Sequence, residues 1–150
     1  TGEGLQKSID PVDNETYLYS QGETAHIRKM YPCFDQPDLK ATFTLSVLAP
    51  AHWEVISNNP VAEVKEDGEA KFWRFTTTPR ISTYITALVA GPYHHVHHEY
   101  VGEKTVPLGI YCRKSLAPFL DSEEFFLLTK QGFAFYEKEF LNKFSIKGVM

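Results

Sequence analysis

Apolar and polar residues alternate with a period of two along most of the first two thirds of the chain, the spacing of strands with one face buried. Tyr17, Tyr19, Gln21 and Glu23 fall on one side of an extended run, and Leu18, Ser20 and Gly22 on the other. Phe43, Leu45, Val47 and Ala49 alternate with Thr42, Thr44, Ser46 and Leu48 until Pro50 stops the run. Trp53, Val55 and Ser57 begin another strand, ended by Asn58-Asn59-Pro60, whose Asn residues tolerate turn geometry. Asp67-Gly68 lies between residues 61–65 and 71–75 and predicts a hairpin, because such a pair supplies the positive φ angles of a tight turn. Residues 83–90 are apolar or threonine on both faces and end at Gly91-Pro92, which predicts a central strand covered on both sides. Val106, Leu108, Ile110 and Cys112 alternate once more.

The period then changes. From Ser122 to about Phe140, Phe125, Leu128, Phe135 and Tyr136, with Phe126, Phe133 and Phe140 beside them, recur at helical spacing and predict a broad buried face. Asp121 can accept an N–H from the first turn while Glu124 reaches back, and Glu123 and Glu124 suit the positive end of the helix dipole. Strands followed by one very aromatic helix predict a mainly β domain and then the opening of a more helical one, with a boundary near Leu116-Ala117-Pro118.

A chain of 150 residues with 43% hydrophobic and 23% charged residues can bury a core, so disorder and fibrous structure are excluded. Its net charge of −4 and lack of a basic run argue against a nucleic-acid partner. The longest apolar stretches, such as residues 85–90, are far shorter than the roughly 20 residues that span a bilayer. The chain opens at Thr1-Gly2-Glu3-Gly4, without an initiator Met or an apolar targeting segment, and reads as an internal piece of a longer protein. Cys33 and Cys112 lie in unrelated contexts, which offers neither a CxxC motif nor a zinc ribbon. Two reduced, buried thiols are expected rather than a disulfide, and the cytoplasm is the expected compartment.

His94, His95, His97 and His98 form the densest cluster of metal-ligating residues. Strand alternation puts His95 and His97 on one face, His94 and His98 on the other. Two imidazoles on a face can hold a metal, but a solvated strand end, with histidines pairing to Glu99, needs no metal, and adventitious nickel or zinc is the metal reading it favours. His98-Glu99 begins like H-E-x-x-H, the helical motif of zinc proteases, and fails because Gly102 stands where the second histidine belongs. Gln21 and Glu23 project to the same side of an extended segment with an acceptor each. They can grip an ammonium such as a peptide N-terminus, or form a polar strand face with Arg28 or Lys29 nearby. Tyr31-Pro32-Cys33-Phe34-Asp35-Gln36-Pro37-Asp38 reads as a rigid turn in which Asp35 accepts backbone N–H groups or pairs with Arg28.

These residues carry a resemblance. Gln21-Gly22-Glu23, Ala25, Arg28-Lys29 and Pro32-Cys33-Phe34-Asp35-Gln36-Pro37 resemble, in residue and spacing, the Q-x-[QE]-x-A…R-[KR]…P-C-F-D-[EQ]-P segment of the M1 family of zinc aminopeptidases, the aminopeptidase N group. Ile81-Ser82-Thr83-Tyr84 through Val89-Ala90-Gly91 is similar to that family's M/I-S-T-Y-L…G strand, and Pro107-Leu108-Gly109-Ile110-Tyr111-Cys112-Arg113 to its lead into the catalytic domain. The resemblance implies a β-sandwich or saddle-like N-terminal domain, truncated at its start, over residues 1–117. It implies the incomplete opening of a thermolysin-like catalytic domain over residues 118–150.

It further implies that Glu23 binds the α-ammonium of a peptide substrate and that Gln21 lines the first specificity pocket. Fixing the N-terminus puts only the first peptide bond at the metal, which yields exopeptidase specificity by positioning. In the family the resemblance names, H-E-x-x-H and a downstream Glu bind zinc and a G-x-M-E-N loop helps hold the substrate's amino group; neither motif is present in this chain, so no catalytic residue and no specifically bound metal is expected here. The expected partners are peptides with a free N-terminus and the remainder of the catalytic domain. The competing reading is a free-standing, non-catalytic β-sandwich binding module. Such a module would cover Phe125, Phe126, Phe133 and Phe140 within itself, whereas a fragment would leave some of them exposed.

Overall fold

The computed structural model describes residues 2–140. The chain divides into two compact units, Thr1–Tyr93 and His94–Met150. The first holds seven strands: β1 (Gly4–Ile9), β2 (Thr16–Gln21), β3 (Ser46–Pro50), β4 (Glu54–Ser57), β5 (Val61–Asp67), β6 (Ala70–Phe75) and β7 (Leu88–Gly91). They form a four-stranded sheet in the order β1-β2-β7-β4 and a three-stranded sheet in the order β3-β6-β5, with antiparallel pairings throughout.

Both sheets contribute to one core. Val55, Leu88 and Ala90 come from the first, Ala49, Trp73 and Phe75 from the second, with Leu18, Val47 and Trp53 packed around them. This unit is thus mainly β, as the alternating pattern predicts, and its two sheets form the sandwich that the resemblance implies. β7 is the buried central strand expected from Leu88 onward, but residues 83–85 form a 3-10 turn rather than its beginning. Local hydrogen bonds explain the difference. The Thr86 hydroxyl donates to the Thr83 carbonyl, and the Asn58 side chain serves both the Ala87 N–H and the Ile85 carbonyl, so these groups need no strand partner.

The hairpin between β5 and β6 forms where expected, shifted by one residue. Asp67 pairs with Ala70, so the two-residue loop is Gly68-Glu69, and Gly68 alone takes the positive φ, +62°. That is the pattern of a hairpin with glycine at the first central position. β1 carries no signal of its own, because Leu5 and Ile9 on this edge strand point to solvent.

The second unit comprises β8 (His94–Val101), β9 (Thr105–Cys112) and helix α1 (Ser122–Phe140), with a 3-10 segment at Lys114–Phe119. β8 and β9 pair as an antiparallel ribbon, and Tyr100, Val106, Leu108 and Phe126 form a small core with Phe133 half-buried beside them. The ribbon packs on the helix, so these elements form one compact unit from His94 onward; the last ten residues of the segment 118–150 lie outside the described residues. The helix spans the expected residues, and the Asp121 carboxylate accepts the Glu124 N–H at 3.1 Å as its cap. The broad buried face expected of the helix is not found: the ribbon covers Phe126 and half-buries Phe133, whereas Phe125, Leu128, Phe135, Tyr136 and Phe140 are exposed. Among the described residues no helix is long and apolar enough to cross a membrane.

Candidate functional site

β2 ends at Gln21, which pairs with Gly4 of β1, and the chain continues through Gly22 and Glu23 before a 3-10 turn at Ile27–Lys29. Gln21 and Glu23 are exposed and Gly22 between them is buried, as the alternation predicts. The peptide bond from Glu23 to Thr24 is cis. Gly22 lies against the turn at Thr83–Ile85: a Cβ there would sit 2.7 Å from the Tyr84 carbonyl oxygen and 3.2 Å from Ile27 Cδ1. Only glycine permits so close an approach.

A set of side-chain bonds holds that turn in place. The Asp35 carboxylate accepts the Arg28 backbone N–H at 3.0 Å and the Thr83 hydroxyl at 2.8 Å, so one residue ties the segment after Glu23 to the turn over Gly22. The structural role expected of Asp35 is the one found, through the backbone of Arg28 and not its guanidinium. The Tyr31 hydroxyl donates to Thr86 Oγ1 at 2.9 Å, and the Ser82 hydroxyl donates to the Pro37 carbonyl. Burial pushes the Tyr31 hydroxyl up in pKa, and burial followed by the nearby Asp35 charge does the same to the Cys33 thiol, which is therefore protonated at neutral pH. Cys33 and Cys112 are free and half-buried.

Two of the basic side chains that follow Glu23 in the chain, Lys29 and His26, are turned to Glu3. Lys29 hydrogen-bonds Glu3, and this bond lowers the Glu3 carboxyl; His26 Nε2 lies 3.3 Å from the same carboxylate. Among the described residues no hydrogen bond or ion pair engages the Glu23 carboxylate. Thr83 and Tyr31, which complete the framework, were not distinguishable in the sequence from core threonines and aromatics. The hydroxyl-rich run Ser82-Thr83 beside a Pro-bounded turn is the signal that could have marked them.

In the second unit, His98 lies on strand β8 with its ring 5.2 Å from Phe126, and its Nδ1 meets the Glu99 N–H at 2.9 Å and Lys130 Nζ at 2.9 Å. His98-Glu99 is extended and already engaged, so it does not fit a zinc pair carried one helical turn apart. His95 and His97 share the opposite face with Glu99, as expected. Among the described residues no group of three or more His, Cys, Asp or Glu side chains is placed to hold a metal ion.

The sequence profile of the peptidase M1 N-terminal domain matches residues 3–85. Aminopeptidase N of Streptomyces lividans is 51% identical over 141 residues, 93% of this chain and 16% of that protein. A probable aminopeptidase of Sulfurisphaera tokodaii is 40% identical over 91 residues, 61% of this chain and 12% of that protein. Aminopeptidase N of Acetobacter pasteurianus is 39% identical over 105 residues, 69% of this chain and 29% of that protein. The chain spans less than a third of the length of each of these relatives.

Proposed function

The chain belongs to the peptidase M1 family, and from that premise we propose that it is part of a zinc-dependent aminopeptidase that removes N-terminal residues from peptides. Its own contribution is to recognise the substrate's N-terminus. Glu23 binds the α-ammonium and Gln21 lines the pocket for the first side chain, which leaves the first peptide bond as the one presented for hydrolysis. The catalytic zinc belongs to the rest of the protein, and this chain supplies no ligand to it. Residues 1–117 then form the N-terminal β-domain and residues 118–150 the start of the catalytic domain.

The observation that carries this reading is the state of Glu23. It stands exposed beside a backbone locked under Tyr84, with its carboxylate engaged by no cation among the described residues, while Lys29 is taken by Glu3. A held and uncompensated carboxylate is what an incoming ammonium requires. The exposed Phe125 favours a partner for the helix, the remainder of the catalytic domain, over a self-sufficient module. The free thiols fit a cytoplasmic protein.

The test is Glu23→Ala and Glu23→Gln in the full-length protein, assayed on amino-acid nitroanilides. A charge-assisted hydrogen bond contributes about 1.5–3 kcal/mol, so kcat/KM is expected to fall roughly 10- to 100-fold, with KM raised. The Gln variant, which keeps an acceptor, should lose less. Unchanged kinetics in both variants would overturn the assignment.

A further inference from the structure

We propose that His95 and His97 form a two-histidine chelate for a late first-row divalent cation, copper(II) in preference to nickel(II) or zinc(II). They lie two residues apart on the same face of β8, and both are exposed. Their ring centroids are 4.9 Å apart with planes at 73°. An imidazole nitrogen binds such a metal at about 2.0–2.1 Å with its ring centre roughly 1.1 Å behind, so two rings on one metal at about 90–110° keep their centroids about 4.5–5.2 Å apart. The observed spacing falls inside that window.

β9 supplies an orienting partner. Tyr111 pairs with His95 across the ladder, and its ring lies 5.7 Å from His95 and 5.6 Å from His97. Its hydroxyl is 3.2 Å from His97 Nε2. Gly109 stands opposite His97, and a Cβ there would come within 3.1 Å of the Tyr111 ring and 3.6 Å of His97 Nδ1. Glycine therefore leaves room both for Tyr111 to lean across and for approach to Nδ1. A ligating histidine characteristically has its second nitrogen hydrogen-bonded, which fixes ring and tautomer. With Nε2 turned to the phenol, Nδ1 is the nitrogen left to the metal.

His94 and His98 are not part of the site. Their face of the strand also carries Tyr100, which packs with Phe126, and His98 is committed to the Glu99 N–H and Lys130. The other metal positions would be filled by water, so selection rests on ligand type, which for imidazole suits copper, nickel and zinc, with affinity rising to copper.

Calorimetric titration of the purified 150-residue chain with copper(II), nickel(II) and magnesium salts tests this, with electron paramagnetic resonance reporting nitrogen ligation of copper. One copper per chain is expected, with nickel weaker and magnesium silent. His95→Gln and His97→Gln should each weaken copper at least tenfold and remove the two-nitrogen signal. His94→Gln should leave affinity within twofold, and Tyr111→Phe should weaken it several-fold at unchanged stoichiometry. Copper affinity untouched by His95→Gln and His97→Gln, or no protein-bound copper at all, would overturn the proposal.

Discussion

Removal of the Asp35 carboxylate probes the joint that holds the segment after Glu23 against the turn over Gly22. In Asp35→Ala the Thr83 hydroxyl, only 4% exposed as a residue, loses its acceptor at 2.8 Å, and the Arg28 N–H loses its acceptor at 3.0 Å. A hydrogen bond to a charged group contributes about 1.5–3 kcal/mol, and a buried donor left without a partner costs about 1–3 kcal/mol. Arg28 is exposed and its N–H regains water, so most of the loss falls on Thr83, and a total of about 2–4 kcal/mol follows. Thr83→Val removes the same bond from its other end. If the bond carries the joint, Thr83→Val costs less once Asp35 is gone, with a coupling energy of about 1–2 kcal/mol in a double-mutant cycle. Urea unfolding followed by the fluorescence of Trp53 and Trp73, which lie in the same compact unit as the joint, reads both quantities. With a slope of about 2 kcal/mol per molar urea, the single variant should lower the midpoint by about 1–2 M. Additive costs, with a coupling below about 0.3 kcal/mol, would refute the reasoning.

Two glycines should respond with opposite signs. Gly22→Ala forces a methyl to within 2.7 Å of the Tyr84 carbonyl oxygen and should cost about 1–3 kcal/mol of overpacking, seen as a lower urea midpoint; an unchanged midpoint would mean the approach is loose. Gly132→Ala, in the interior of α1 with nothing within 4 Å of the new methyl, should stabilise the helix by about 0.5–1 kcal/mol. Thermal melts by circular dichroism read that gain, and a lower melting temperature would contradict it.

The legible parts of the fold were those in which periodicity and end signals agreed. Helix α1 carries both an apolar face and the Asp121 cap, and its observed span matches the expected one. The hairpin of β5 and β6 was legible from its Asp-Gly pair, but not to the residue, because Asp67 can end a strand as readily as enter a turn. Residues 83–87 misled because threonine satisfies the pattern of a covered strand and, equally, supplies hydroxyls that make a strand unnecessary. β1 escaped notice because an edge strand whose apolar residues face outward has no inward pattern to read. At the candidate site, alternation alone placed Gln21 and Glu23 outward. The meaning of Gly22 lay in the backbone of Tyr84, far along the chain, which no local spacing encodes.

The order of strands also sets a timetable. β2 finds β1 a few residues behind it, but its other neighbour is β7, and the Leu88 N–H reaches the Ser20 hydroxyl across 68 residues. The Asp35–Thr83 bond spans 48. Closing a loop of that length costs about 2 kcal/mol more chain entropy than a tight hairpin, so these links reward the chain only late. At synthesis rates of about 5–20 residues per second, the emerging Gln21-Gly22-Glu23 segment waits roughly 3–12 s for the turn that pins it, with one edge of β2 open to stray pairing meanwhile. A product terminated before residue 83 would contain both polar residues of the candidate anchor, with Gln21 paired to β1, but not the turn that packs on Gly22 between them.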